Sequence, residues 1–256
     1  MTAIADEPRL EYAAAIPEAE FNKVSKENFI SSTSLQAYMS PTLIDTGKER
    51  VLADTGLGFG GLMQSLKQAN VSPESIDVVA ISHMHPDHIG GLIKDGKPNF
   101  PNAKYVAGAV EYNFWQKLGE GNLVSDMVAK QVTPLAEKMT FIDDGNSIAS
   151  GITAMASFGH SPGHFCLHLE SNGEQLVLTA DLANHYIWSF ARPDWHFKFD
   201  ADAEKAVTSR RKILGMLAAD KTPMIGYHMP FPGIGYVEER GNGFRFVPAS
   251  YQLAKH

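Results

Sequence analysis

The chain has 256 residues, with 22 Lys+Arg against 29 Asp+Glu for a formal charge of −7, ten His and one Cys. At 44% hydrophobic and 20% charged residues it is composed for a folded core, so wholesale disorder is excluded, and a single Cys excludes internal disulfides and Cys-rich zinc modules. The acidic balance argues against a polyanion-binding surface, the start lacks the pattern of a secretory signal, and no stretch approaches the ~20 apolar residues of a membrane helix, so neither nucleic-acid nor membrane partners are expected.

In chain order, Leu35 to Asp45 and Arg50 to Ala53 read as two strands around a turn at Thr46-Gly47-Lys48. Gly60 to Ala69 places Leu62, Leu66 and Ala69 at helical spacing. Ile76 to Ser82 is a continuous β-branched apolar run, the pattern of a strand covered on both faces, and it leads directly into His83. Ala103 to Ala107 reads as a short strand, followed by helices over Val110 to Leu118 and about Val124 to Lys138. Further strands are expected at Lys138 to Ile142, Ile152 to Ser157, Phe165 to Glu170 and Gln175 to Thr179. Asp200 or Asp202 caps a helix whose face carries Ala203, Ala206, Val207, Ile213, Leu214 and Leu217, and Thr222 to Gly226 is a last core strand before His228. The Pro and Gly clusters read as loops between elements and not as an interdomain linker, so a single domain over 1–256 is expected.

The chemistry concentrates in His83-Met84-His85-Pro86-Asp87-His88, four metal-capable side chains in six positions after a buried strand. Extended residues at i and i+2 share a side, so His83 and His85 can converge on one ion. Pro86 turns the chain, and Asp87 with His88 can then face a second. Neutral imidazole and carboxylate are the ligands expected for Zn²⁺ and similar divalent ions. Three strand ends supply more of the same chemistry: His160 and His164 in Gly159-His160-Ser161-Pro162-Gly163-His164, Asp181 after Gln175 to Thr179, and His228 after Thr222 to Gly226.

The order Asp54-Thr55-Gly56, His83 to His88, His160, Asp181 and His228 resembles the metallo-β-lactamase fold superfamily, over about Leu35 to Gln252. The resemblance implies an α/β fold, the four-layer αββα sandwich. It implies two divalent ions, zinc by preference, one held by His83, His85 and His160, the other by Asp87, His88 and His228, with Asp181 bridging. Asp87 and Asp181 are then the catalytic carboxylates, and a hydroxide shared by the ions is the nucleophile. Ser82 to Leu92, Phe100-Pro101-Asn102-Ala103, Phe114-Trp115, His228 to Gly235 and Gly243 to Pro248 resemble the branch of methyl parathion hydrolase and its lactonase-like relatives. That branch implies a hydrolase of apolar esters, lactones or organophosphate triesters, a homodimer, and an aromatic substrate pocket to which Trp115 and Phe59 correspond.

Met1 to Asp6 is similar to the end of that family's first strand, so the strand is either shortened or preceded by further residues, an export signal among them. As given the sequence reads as cytoplasmic; a longer chain with such a signal would be periplasmic. The competing readings are a β-lactamase, a glyoxalase II-like thiolester hydrolase, and a metal-free binding module on the same fold. His185, Tyr186 and Tyr227 are candidates to assist the leaving group, whereas Cys166 reads as a small core residue.

Overall fold

The computed structural model describes residues 2–59 and 61–249. Within them the chain forms two compact units.

The first unit comprises residues 41–156 and 161–171. Its main sheet has five strands in the order Thr42–Asp45, Arg50–Ala53, Val78–Ile81, Lys104–Gly108, Met139–Ile142. The first two pair antiparallel as a hairpin; the others run parallel, in a register that sets Val51 beside Val78, Val78 beside Lys104 and Tyr105 beside Met139. All four residues of Val78–Ile81 are buried, as the unbroken apolar run requires of a strand covered on both faces. Leu52, Ile76, Val79, Ile81, Met84 and Tyr105 form the centre of this unit's core. The helices Leu62–Gln68, Ala109–Leu118 and Leu123–Gln131 belong to it, the last capped by the Asn122 side chain on the amides of Val124 and Ser125. The helix expected over Val124 to Lys138 stops at Gln131, and Thr133–Lys138 is a 3₁₀ segment. Pro134 has no N–H to continue the helical ladder, which accounts for the break. Three antiparallel strands, Ser147–Ala149, Ile152–Ala156 and Phe165–Ser171, complete the unit.

The second unit comprises residues 2–40, 157–160 and the chain from 172. Thr2–Asp6 pairs antiparallel with Ser34–Tyr38. Glu174–Ala180 runs parallel to Met224–Gly226, which is followed by the antiparallel strands Ile234–Arg240 and Gly243–Pro248. Helix Ala203–Asp220 starts at Asp202, whose carboxylate accepts the amide of Lys205. Phe21 and Val24 of helix Glu18–Glu27 pack with Leu35, Trp188, Trp195 and Phe197, and the Trp188 indole donates to Ser25 Oγ at 3.0 Å.

One strand expectation is corrected. Leu35 to Asp45 is not continuous: it divides into Ser34–Tyr38 in the second unit and Thr42–Asp45 in the first. Pro41, at the break, has no amide to offer a ladder. The expected helix over 60–69 begins at Leu62, and position 60 lies outside the described residues, as do Gln252 and His256. None of the helices among the described residues is long and apolar enough to cross a membrane.

Candidate metal centre

In the first unit, strand Val78–Ile81 delivers Ser82 and His83 into the buried interior, and the short helix Pro86–Ile89 carries Asp87 and His88. The ligand atoms of His83 and His85 lie within 4.8 Å of each other, and so do those of Asp87 and His88. The His83 ring is 4.6 Å from that of His85, 4.0 Å from that of His88 and 5.0 Å from that of His164. The turn after this helix depends on glycine. A Cβ on Gly91 would stand 2.3 Å from the Thr55 carbonyl oxygen, and one on Gly90 would stand 2.6 Å from that of Leu57.

Asp54 is the group that orders this half of the centre. It closes strand Arg50–Ala53 in the left-handed region, at φ 60°, an uncommon conformation for a residue with a side chain. Its Oδ1 accepts the Ser82 amide at 2.8 Å, and its Oδ2 accepts both the Ser82 hydroxyl and His88 Nδ1–H at 2.8 Å. A carboxylate only accepts, so the His88 proton belongs on Nδ1 and Nε2 is the basic nitrogen. Because Ser82 has given its one proton to Asp54, its oxygen accepts from His83 Nδ1 at 3.1 Å, which fixes the same tautomer on His83.

In the second unit, Asp181 follows Ala180, itself at φ 43°, at the end of strand Glu174–Ala180. Asp181 Oδ2 lies 3.0 Å from His228 Nε2 and 3.3 Å from His160 Nε2, and it accepts from Asn184 Nδ2 at 3.3 Å. Both of these imidazoles are again fixed from behind. His160 Nδ1 donates to Asp200 Oδ1 at 3.0 Å, and His228 Nδ1 donates to the Tyr38 carbonyl at 2.6 Å. Asp200 is in turn clamped by Arg210 at 2.9 Å, a pair with no solvent exposure at either side chain. The Asp200 carboxyl is held below the usual carboxylate range: burial works against its charge, but the His160 hydrogen bond and the Arg210 charge outweigh it.

Four imidazoles in two units are therefore each held with a proton on Nδ1 and a basic Nε2. Two basic nitrogens directed at one carboxylate oxygen, 3.0 and 3.3 Å away, repel it unless a cation or a proton lies among them. Imidazole and carboxylate donors are the ligand set of a divalent ion, and a ligating His whose other nitrogen donates to a carboxylate or carbonyl is the usual supporting pattern. The residues present fit such ions.

A family model of the metallo-β-lactamase superfamily matches residues 40–222, more than half of the chain. The chain belongs to the metallo-β-lactamase superfamily. It has the mixed α/β fold of that superfamily, and its relatives among solved structures include hydrolases. AidC, a dizinc quorum-quenching lactonase solved with an N-hexanoyl-L-homoserine product, is 28% identical, with a TM-score of 0.88 over 98% of this chain and 92% of its own. AbOPH, a hydrolase of the β-lactamase superfamily, is 26% identical at the same TM-score and coverage. Among curated proteins, the lactamase-like protein adaB of Aspergillus niger is 31% identical over 143 residues, 54% of this chain and 37% of its own. The chain thus spans well under two thirds of that relative's length.

Of the predicted pocket residues, Trp115 is buried on helix Ala109–Leu118 with its ring 6.1 Å from that of His85, whereas Phe59 is 68% exposed. Reasoning from sequence alone missed Glu111. Its buried carboxylate accepts from the Met84 amide at 3.0 Å and from the Trp115 indole, the Ser161 hydroxyl and the Gly163 amide at 2.7 Å each. It therefore fixes the backbone between His83 and His85 together with the aromatic beside them. The one local signal was its i,i+4 spacing from Trp115. Arg210 and the role of Asp200 had no local signal, and Asp200 proves not to be the helix cap. His196 is exposed and lies 3.3 Å from Glu204.

Proposed function

We propose that this chain is a hydrolase working with two divalent ions, zinc by preference, and cleaving ester, lactone or phosphotriester bonds in apolar small molecules. His83, His85 and His160 would hold one ion, Asp87, His88 and His228 the other, and Asp181 both. The observation that carries this reading is the set of outer-nitrogen hydrogen bonds: Asp54, Ser82, Asp200 and the Tyr38 carbonyl each commit an imidazole to offering Nε2. Such chemistry would be wasted on a metal-free binding module. A single hydrolase domain is part of the proposal.

A pair of divalent ions, when bound, polarises the oxygen of the scissile group and makes water a nucleophile at neutral pH. The chain's own residues do the rest. Asp181 takes up the proton that the attacking water loses and passes it to the leaving oxygen. Trp115, locked by Glu111, gives a rigid apolar wall suited to an acyl or aryl group, and Phe59 supplies a second, exposed aromatic. The likeness to AidC, a lactonase, supports lactones as the first substrates to try. A homodimer is part of the proposal and is checked by light scattering.

Metal analysis of the purified protein should find about two equivalents per chain. A panel of an acyl homoserine lactone, an aryl ester, methyl parathion, a thiolester and a β-lactam should show turnover of one of the first three. Turnover of the β-lactam or the thiolester alone would replace the substrate class, and full activity in a metal-free preparation would overturn the mechanism.

A further inference from the structure

The segment after Asp181 is built around a histidine that holds no place in the ligand set. His185 is 4% exposed, and its Nδ1 accepts two backbone amides, those of Ile187 at 3.1 Å and Trp188 at 3.2 Å. Two donors on one ring nitrogen leave no room for a proton there, so the imidazole carries its hydrogen on Nε2. This is the tautomer opposite to that of His83, His88, His160 and His228, and it makes His185 a donor where they offer lone pairs.

The ring is also immobilised. It stacks on Trp188 with centroids 3.9 Å apart and planes inclined by 20°. The turn that presents it is tied at several points. Ser189 Oγ accepts the amides of Asn184 at 3.1 Å and His185 at 3.2 Å, the Leu182 amide returns to Thr179, and Arg210 Nε grips the Leu182 carbonyl at 2.9 Å. Its sequence neighbour Asn184 donates to Asp181. Since Nδ1 faces the backbone of Ile187 and Trp188, Nε2–H points away from that backbone. Burial presses the ring's pKa down to about 3, so it stays neutral at working pH.

We propose that His185 is a catalytic hydrogen-bond donor whose fixed Nε2–H binds the carbonyl or phosphoryl oxygen of the substrate as negative charge gathers there. The proposal rests on the hydrolase reading above. Attack by the water oxygen forms the new O–C or O–P bond and moves an electron pair onto the electrophile's oxygen, which is the atom His185 holds. When the bond to the leaving oxygen breaks, that pair returns to the double bond, and the leaving oxygen takes its proton from Asp181. His185 neither gains nor loses a proton. A neutral donor held fixed by the fold stabilises developing charge without reorganising at the moment of reaction, and such donors are worth roughly 10²–10³ in kcat.

The test compares the wild type with His185→Phe, which keeps an aromatic ring against Trp188, and His185→Gln, whose amide offers both an acceptor and a donor. H185F should lose about 100-fold in kcat on the best substrate of the panel, with KM and metal content unchanged, and H185Q should recover at least tenfold of that loss. A second readout needs no turnover: nitrogen-15 NMR of histidine-labelled protein should show His185 protonated at Nε2, with that resonance shifting on addition of an acyl homoserine. An H185F enzyme within twofold of the wild-type kcat, a proton on Nδ1, or a resonance unmoved by the acyl homoserine would overturn the proposal. Failure of the wild type on every substrate would instead overturn the hydrolase reading. In that case the NMR result still decides whether His185 meets an anionic oxygen.

Discussion

Asp54 shows how much of a metal site can depend on a residue that touches no metal. Its two oxygens serve three donors, and they set the tautomer of His88 directly and that of His83 through Ser82. Asp54→Asn keeps shape and volume but adds a donor. With the amide nitrogen in the Oδ2 position, His88 Nδ1 must accept, its proton moves to Nε2, and the ligand nitrogen is lost; with the amide turned over, its nitrogen meets the Ser82 N–H. Metal affinity of D54N, measured by competition with a chelator, should fall about 10–100-fold while the folded state survives. Unchanged affinity would show that the tautomers are not fixed from behind. The proposed ligands could be named from the sequence because four of the seven sit within six residues and the rest mark strand ends. Their supports were not: Asp54 lies 34 positions from His88, Asp200 40 from His160, and the Tyr38 carbonyl 190 from His228. No local pattern connects such pairs.

Among the elements, helix Ala203–Asp220 does more than cover a sheet. From its middle, Arg210 reaches the carbonyls of Leu182, Pro193 and Trp195 and the carboxylate of Asp200, and its guanidinium lies 4.9 Å over the Phe197 ring. One buried cation thereby ties together the segment that contains Asp181's neighbours, His185 and the partner of His160. Replacing it by methionine leaves the fully buried Asp200 without its counter-charge and three carbonyls without a donor. Arg210→Met should therefore cost about 3–5 kcal/mol in urea unfolding, in the range of broken buried pairs. The double variant R210M/D200N should be less destabilised than the sum of its parts, since removing both charges spares the uncompensated one. Additive losses would mean that the two groups do not act as a pair. The helix itself was readable from its apolar spacing, and strand Val78–Ile81 from its unbroken apolar run. Helix Glu18–Glu27 was not, because only Phe21, Val24 and Ser25 of its ten residues are buried, too few to impose a period on a polar sequence. The hairpin Ile234–Arg240 and Gly243–Pro248 went unread as strands because its alternation is short and interrupted by exposed charge.

On the scale of the whole molecule, the gathering of basic nitrogens and carboxylates makes an electrostatic demand that folding alone does not meet. Each unit stores part of it: four metal-capable side chains in the loop and short helix after Val78–Ile81, and in the other unit two Nε2 atoms against one Asp181 oxygen. Divalent ions bind the folded arrangement and not the dispersed ligands of the unfolded chain, so they stabilise it by mass action. One site at a hundredfold excess over its dissociation constant contributes about 2.7 kcal/mol. For a chain of this size a kilocalorie moves the midpoint by roughly 2–4 °C, so stripping the ions with a chelator should lower Tm by about 5–10 °C or more, and added Zn²⁺ should restore it. Ca²⁺ and Mg²⁺ should restore little, because an imidazole-rich set favours the borderline-soft ions. Hydrogen exchange should localise the loosening to the residues that carry the ligands, 82–89 in one unit and 158–160, 181–189 and 227–229 in the other. Equal Tm values with and without bound metal, after metal analysis confirms removal, would mean that protons already satisfy these nitrogens.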